Sequence, residues 1–316
     1  MKVVTMGAHI LDVLVHPVES IPPGQATALV QQVRLTAAGT AAGTALSLAK
    51  LGATVSTAGA VGTDATGDLL VSLLERAGID TTMVVRIAST PSSVSILPIR
   101  PNGERPSLHL LGANTAFTPA DVVWDKVASA DHLHLGAPEL LGPDNAGEIL
   151  RRAKELGLTT SVDLIAPGNM GAIELIAPAL AHTDYLLPNL EQVLGFTGID
   201  EPAAACRRLI ELGAGLVAAT MGGDGVLVAQ AERIAHVPAF ATEVVDTTGC
   251  GDAFSAGFLV GVAAAREPLQ AAVLGCATAA LVAGGLGSDH GEFDLVTADE
   301  FAAATPALST SYLPPC

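Results

Sequence analysis

Apolar residues fall in short runs separated by glycines and by amphipathic stretches, and this rhythm recurs along most of the chain. Residues 3–6 read as a buried strand, and the apolar stretch that follows Gly7 is broken by a single acid, Asp12, before Val13–Val15. Further buried strands are predicted over residues 54–61, 132–135, 159–163, 185–187 and 216–220, the last turning through glycines into 226–228. Between them the apolar spacing becomes helical. Helices are predicted after the small-residue segment 37–43 as far as Gly52, from about Gly62 to Ala77, and over 147–156, 173–181 and 253–265. Residues 271–287 form an apolar, glycine-rich run too short for a membrane span and read as a core helix. Strands alternating with helices predict an α/β class with a central, mostly parallel sheet between helices.

Two segments depart from that rhythm. Residues 17–25 hold three prolines and a glycine, a turn, and 27–36 then alternate as a strand with one exposed face. Residues 84–87, 93–100 and 105–111, with a turn at 101–103, read as antiparallel hairpin material. Together, insertions at about 13–36 and 84–112 predict a small β-sheet lid on a single domain spanning residues 1–316. Arg105 and His109 fall on this lid, either as exposed charges or facing a substrate.

Composition narrows the partners. Half of the 316 residues are hydrophobic, ample for a substantial core, and the formal net charge of −17 excludes nucleic acid and anionic membrane surfaces. An anionic nucleotide would need local positive potential from helix N-termini and a metal ion. Cys206, Cys250, Cys276 and Cys316 lack the spacing of a disulfide framework or zinc site, so a reducing, cytoplasmic setting is expected. The opening residues are interrupted by Gly7, His9 and Asp12 and read as a first strand, not a signal peptide.

The most chemically pointed stretch is Asp246-Thr-Thr-Gly-Cys-Gly-Asp-Ala-Phe254. It reads as a strand end at Val244-Val245, a glycine loop and a helix start. Gly249 and Gly251 permit a tight turn, and the turn aims backbone N–H groups at the positive end of a helix dipole, a setting for a phosphoryl group. Asp252 beside that anion site repels a simple phosphate ligand but suits a base that takes a proton from an attacking hydroxyl. Elsewhere the readings stay paired. Asp12 is a hydrogen-bonded strand-end acid or an acceptor for substrate hydroxyls. The small residues from 37 to 43 serve close helix packing or close ligand approach. His132 and His134 share a strand face and lack an obvious third ligand, so hydrogen-bonded histidines are expected over a metal pair. Asn189 and Glu191 follow a strand end, as a helix cap or as groups that order water around magnesium. The turn Thr220-Met-Gly222-Gly-Asp-Gly225 is a common hairpin or a bare backbone for a nucleotide.

Taken together these residues resemble the ribokinase-like, PfkB-type carbohydrate kinase family over nearly the whole chain. The family pattern Asp-Thr-Thr-Gly-Ala-Gly-Asp-Ala-Phe is matched except that Cys250 replaces alanine, and Asp12, Gly39 to Gly52, Gly62-Thr-Asp64, Asn189 and Thr220-x-Gly222-x-x-Gly225 fall in the expected order. The resemblance implies the ribokinase-like fold with its β lid, ATP and Mg²⁺ as cofactors and a monovalent cation such as K⁺. It implies Asp252 as catalytic base with Gly249, Cys250, Gly251 and Asp252 supplying an anion hole. Substrate contacts would come from Asp12, Gly39, Thr40, Gly43, Asn114 and Arg105. Nucleotide contacts would come from Thr220, Gly222, Gly225, Thr247 and Cys276, and Asn189 and Glu191 would reach Mg²⁺ through water. The implied reaction moves the ATP γ-phosphoryl group to a hydroxyl, the primary alcohol, of a sugar or sugar-like substrate, with a homodimer through the lid. Three departures stand out: Asn189-Leu-Glu191-Gln192 where the family has Asn-x-x-Glu, Cys276 for a frequent asparagine, and Gly43 for the asparagine that holds sugar hydroxyls. The last leaves room for a base, so a nucleoside kinase is the alternative, and a catalytically silent sugar or nucleotide sensor is a third reading.

Overall fold

The computed structural model describes residues 1–101, 104–231 and 233–309. Strands β1 (Lys2–Gly7), β4 (Thr54–Gly62), β5 (Asp80–Ile87), β8 (His132–Gly136), β9 (Thr159–Asp163), β10 (Tyr185–Leu186), β11 (Leu216–Thr220), β12 (Val226–Gln230) and β13 (Arg233–Val237) form one nine-stranded sheet. Its order is β13-β12-β11-β10-β9-β8-β1-β4-β5, parallel from β11 to β5 and closed at the other edge by the antiparallel β12–β13 hairpin. Apolar side chains on both faces make this sheet a buried layer. Val3 packs into a core with the helices Ala42–Lys50, Cys250–Ala263 and Pro268–Ala283, whereas Val4 and Met6 pack into another with Pro143–Glu155 and Pro202–Glu211. No described helix is long and apolar enough to cross a membrane.

The other four strands, β2 (Ile10–His16), β3 (Gln32–Ala38), β6 (Val94–Pro98) and β7 (Leu108–Leu110), form a second sheet in the order β3-β2-β6-β7. The period of two along each strand gives this sheet two characters. One face carries Asp12, Ser95, Thr36 and His109 in cross-strand register, with Leu14, Leu97 and Ile99 packed on Leu286 and Val245. The opposite face carries Val13, Leu35, Ile96 and Leu108 in register, with Val15 beside Val33 and Val94 beside Leu110.

Several expectations are corrected. Residues 84–87 belong to β5 of the main sheet, parallel to β4, rather than to the lid, because Met83 and its neighbours complete the apolar edge next to β4. The strand expected from 27 begins only at Gln32, whose partner His16 is the last residue of β2, so earlier residues have nothing to pair with. Val244-Val245 form no strand. Val244 is exposed, while the Val245 N–H donates to the Ala283 carbonyl at 2.9 Å and its side chain packs beneath the lid. The helix expected over 173–181 is broken into the single turns Ile173–Leu175 and Ala177–Leu180. Of the turn at 101–103, Asn102 and Gly103 lie outside the described residues, as does Cys316.

Leu135, fully buried in central β8, tests this layering. Leu135→Ala is expected to lower unfolding free energy by about 2–5 kcal/mol, read by chemical denaturation, through lost transfer energy and the cavity left behind.

Candidate active site

The parallel strands end along one edge, and their C-terminal residues bring Asp163, Asn189 and Thr220 to it. Two glycines let the chain pass closely over this edge. Gly7 (φ +118°) lies against the Gly136 carbonyl, where a Cβ would come within 1.9 Å, and Gly39 (φ +92°) lies against Ala8 O, where it would come within 2.7 Å. His134 fixes the same segment from below: Nε2 meets the Thr40 carbonyl at 3.1 Å and Nδ1 meets Ser161 Oγ at 2.8 Å. His132 shares that Ser161 hydroxyl at 2.8 Å. Burial holds His132 at about 3 and His134 at about 4, so both are neutral hydrogen-bonding groups, as expected.

The turn from Asp246 to Gly249 is organised by the buried Asp246 carboxylate. Oδ1 accepts from Thr248 N and Oγ1 at 3.0 and 2.8 Å, and Oδ2 accepts from Gly287 N at 2.9 Å. Gly249 (φ +78°) then caps the helix Cys250–Ala263, and a Cβ there would meet Ser288 at 2.4 Å, so only glycine fits. The Cys250 N–H donates to Thr247 O at 3.3 Å. The remaining N–H groups of the first turn have no intrahelical partners, and nothing lies within 4 Å of a Cβ built on Gly251, so the approach to that turn is open.

Asp252 projects from this turn against the start of the helix Ala42–Lys50. A Cβ on Gly43 would lie 2.2 Å from Asp252 Oδ2, so the space opened by the missing side chain at 43 is filled by the carboxylate. Burial pushes Asp252 up to about 8, Asp12 adding to the rise and Arg105 opposing it. Asp12, buried on the inner lid face, is pushed up to about 7 by burial, with the Ser95 hydroxyl and Arg105 opposing and Asp246 adding. Arg105 crosses from the lid to donate from Nε to Thr247 Oγ1 at 3.1 Å. It brings a cation to a site otherwise built from acids.

Unpartnered polar atoms surround the same space. The Asn114 side chain accepts from His9 N through Oδ1 at 2.9 Å and leaves Nδ2 free, and the Thr40 hydroxyl is buried without a partner. These are the groups a polyhydroxylated ligand would satisfy. Two acids escaped the sequence reading. Glu139 Oε1 accepts from Ile165 N and Ala166 N at 2.6 and 2.7 Å while Oε2 is unpartnered, and Asp163 is held well above the usual carboxylate range by burial and by Asp252. An acid ending a buried parallel strand was the available signal for Asp163.

The remaining sequence candidates are more dispersed. Thr220 and Gly222 sit on the β11–β12 turn, closed by Gly225 (φ +89°), whose N–H donates to Gly222 O at 3.1 Å. Cys276 is buried in the core of the helix Pro268–Ala283. Asn189 caps the helix Leu190–Thr197 in a capping box, Oδ1 accepting from Gln192 N at 2.8 Å and Gln192 Oε1 accepting from Asn189 N at 3.0 Å. Gln192 at the position of the family's acid thus completes a cap. Glu191 beside it is exposed at the sheet edge. For a magnesium ion, an exposed carboxylate and the second lone pair of Asn189 Oδ1 fit contact through water rather than direct ligation. Among the described residues, no group of three or more His, Cys, Asp and Glu side chains is arranged to hold a metal ion.

Comparison with known proteins agrees with this architecture. The chain is 32% identical over 249 residues to an ATP-dependent ribose-1-phosphate kinase of Halopiger xanaduensis, covering 77% of this chain and 78% of that protein. The structure of Arabidopsis thaliana ribokinase complexed with ribose and ATP superposes with a TM-score of 0.81 at 21% identity, covering 95% of this chain and 98% of that one. A putative ribokinase II from E. coli in complex with ATP and Mg²⁺ gives 0.82 at 19% identity, covering 96% and 99%. These two likenesses establish the ribokinase-like fold. The model of the pfkB family of carbohydrate kinases matches residues 1–292, and the chain belongs to that family.

Proposed function

We propose that the protein transfers the γ-phosphoryl group of ATP to a hydroxyl, the primary alcohol, of a sugar or sugar-like substrate held between the lid and the sheet edge. One observation carries this reading: Asp252 stands in the first turn of a helix whose N-terminal glycine turn is open, facing Asp12 across the same space. Asp12, Thr40 and Asn114 bind and orient the substrate hydroxyls, with Gly39 and Gly43 giving the backbone its close approach. Asp252 takes the proton of the attacking hydroxyl. The N–H groups from Gly249 to Asp252, with Arg105, stabilise the charge of the transferred group, and positioning and electrostatics do most of the work. ATP lies along Thr220, Gly222, Gly225 and Thr247, with Cys276 in the helix behind. Mg²⁺ supplies neutralisation of the phosphate charge, held through water by Asn189 and Glu191. A monovalent cation such as K⁺ completes the set of cofactors.

A sugar is favoured over a nucleoside because the room at Gly43 is occupied by Asp252 and adds no space for a base. The intact Asp252 with its open glycine turn favours an active kinase over a silent sensor. The one-domain organisation is supported by the way the lid sheet continues directly from β1 and returns to the main sheet. A reducing cytoplasm suits the free thiols of Cys206, Cys250 and Cys276. A homodimer through the lid accounts for its apolar outer face, exposed from 45% at Ile96 to 64% at Leu108.

Three outcomes follow. ADP release across a panel of sugars, sugar phosphates and nucleosides should identify an acceptor, and Asp252→Asn should lower kcat on it by about 10²–10⁴-fold; near wild-type turnover would refute the assigned base. Because Asp252 must lose its proton to act, kcat/KM should rise with pH toward about 8 and level off above it. A rate falling with pH across that range would contradict the role. Ile96→Asp combined with Leu108→Glu should convert a dimer to a monomer in light scattering after gel filtration, and an unchanged mass would remove the lid interface.

A further inference from the structure

Lys50 ends the helix Ala42–Lys50, and its ammonium is turned away from that helix into the loop after the helix Pro268–Ala283. Nζ donates to the carbonyl oxygens of Asp289 at 2.6 Å, His290 at 3.0 Å and Gly291. These three acceptors match the three protons of an ammonium, and the Phe293 ring covers the group at 4.9 Å.

The loop so held touches the anion-binding turn, the small-residue segment and the lid. Its Gly287 N–H donates to Asp246 Oδ2 at 2.9 Å. Ser288 forms the floor under Gly249, where a Cβ would collide at 2.4 Å, and Ser288 Oγ donates to Ala37 O at 2.7 Å. Asp289 pairs with Arg34 of the lid strand β3 at 3.0 Å. The helix that carries Lys50 begins at the turn where Gly43 abuts Asp252. One ammonium therefore joins the element behind the base to the loop beneath the anion-binding turn.

We propose that Lys50 holds the anion-binding turn from behind: its ammonium fixes the 287–291 loop under Gly249 and Asp246, so that full turnover requires it. It is a positioning residue, and the inference rests on the kinase reading of the site. With no ammonium, the three carbonyls repel one another, the loop relaxes, and the Gly249 turn loses its floor. Misplacement of the anion-binding N–H groups by about 1 Å costs on the order of 10² in rate.

The test compares wild type, Lys50→Ala and Lys50→Met in sodium, potassium, ammonium and n-propylammonium chloride at equal ionic strength, with kcat, KM, ADP binding by calorimetry and thermal midpoint as readouts. In sodium or potassium chloride Lys50→Ala should lose on the order of 10² in kcat with KM nearly unchanged. Ammonium or n-propylammonium should restore about tenfold of that loss by entering the vacated channel. Lys50→Met, which fills the channel without charge, should be equally slow and gain nothing from any cation. Either variant at wild-type kcat, or a Lys50→Ala enzyme indifferent to every amine, would overturn the proposal; if the alanine variant does not fold, the methionine variant decides. A wild type that neither binds ADP nor releases it would instead overturn the kinase reading.

Discussion

Two acids that face one space, with Arg105 as the cation shared between them, set the terms for the rest of the site. Asp12 comes from the lid and Asp252 from a helix start; burial tightens each one's hold on its proton, and Asp12 adds to the effect at Asp252. Such a pair is unfavourable for folding alone. Its ionisation loses stability as pH rises through the window between the ordinary carboxylate value and about 7 to 8, since the folded state binds protons more tightly there. The chain tolerates that cost because everything around the pair is rigid: glycines seated on backbone, neutral buried histidines, and the Asp246 carboxylate bridging two loops. The arrangement makes sense where a proton must leave a hydroxyl between these groups.

That rigidity also explains which glycines are irreplaceable. Gly7, Gly39 and Gly249 each press on another backbone or on Ser288 at positive φ, and Gly43 presses on the base itself. Gly251, in contrast, faces open space at the mouth of the turn. The first group builds the frame, whereas the last leaves access.

Much of this was legible in the sequence. The alternating strand and helix pattern gives the layers, since a parallel sheet buried on both faces must be apolar throughout, and Asp246 to Phe254 carries the turn, the helix start and the base in one stretch. Other features were hidden for physical reasons. Val84-Val85-Arg86-Ile87 alternates as well for a sheet edge as for a lid, and only partner strands decide between them. Glu139 and Lys50 act through residues distant in the chain, so no local spacing announces them, whereas Asp163 is marked only by its place at the end of a buried strand. Gln192 departs from the family's acid, and its role as the cap partner of Asn189 shows only in the folded chain.

The period of two in β2 has a further consequence. Asp12 and Leu14 face inward while Val13 and Val15 face outward, so one seven-residue strand writes the ligand side and the solvent side in alternate letters. Insertion or deletion of a single residue there exchanges the two messages, placing a carboxylate outside and valines over the pocket. The strand can change its specificity by substitution but not by length. Variation in lid size among chains of this design must therefore collect in connections such as residues 17–31, where no register is at stake.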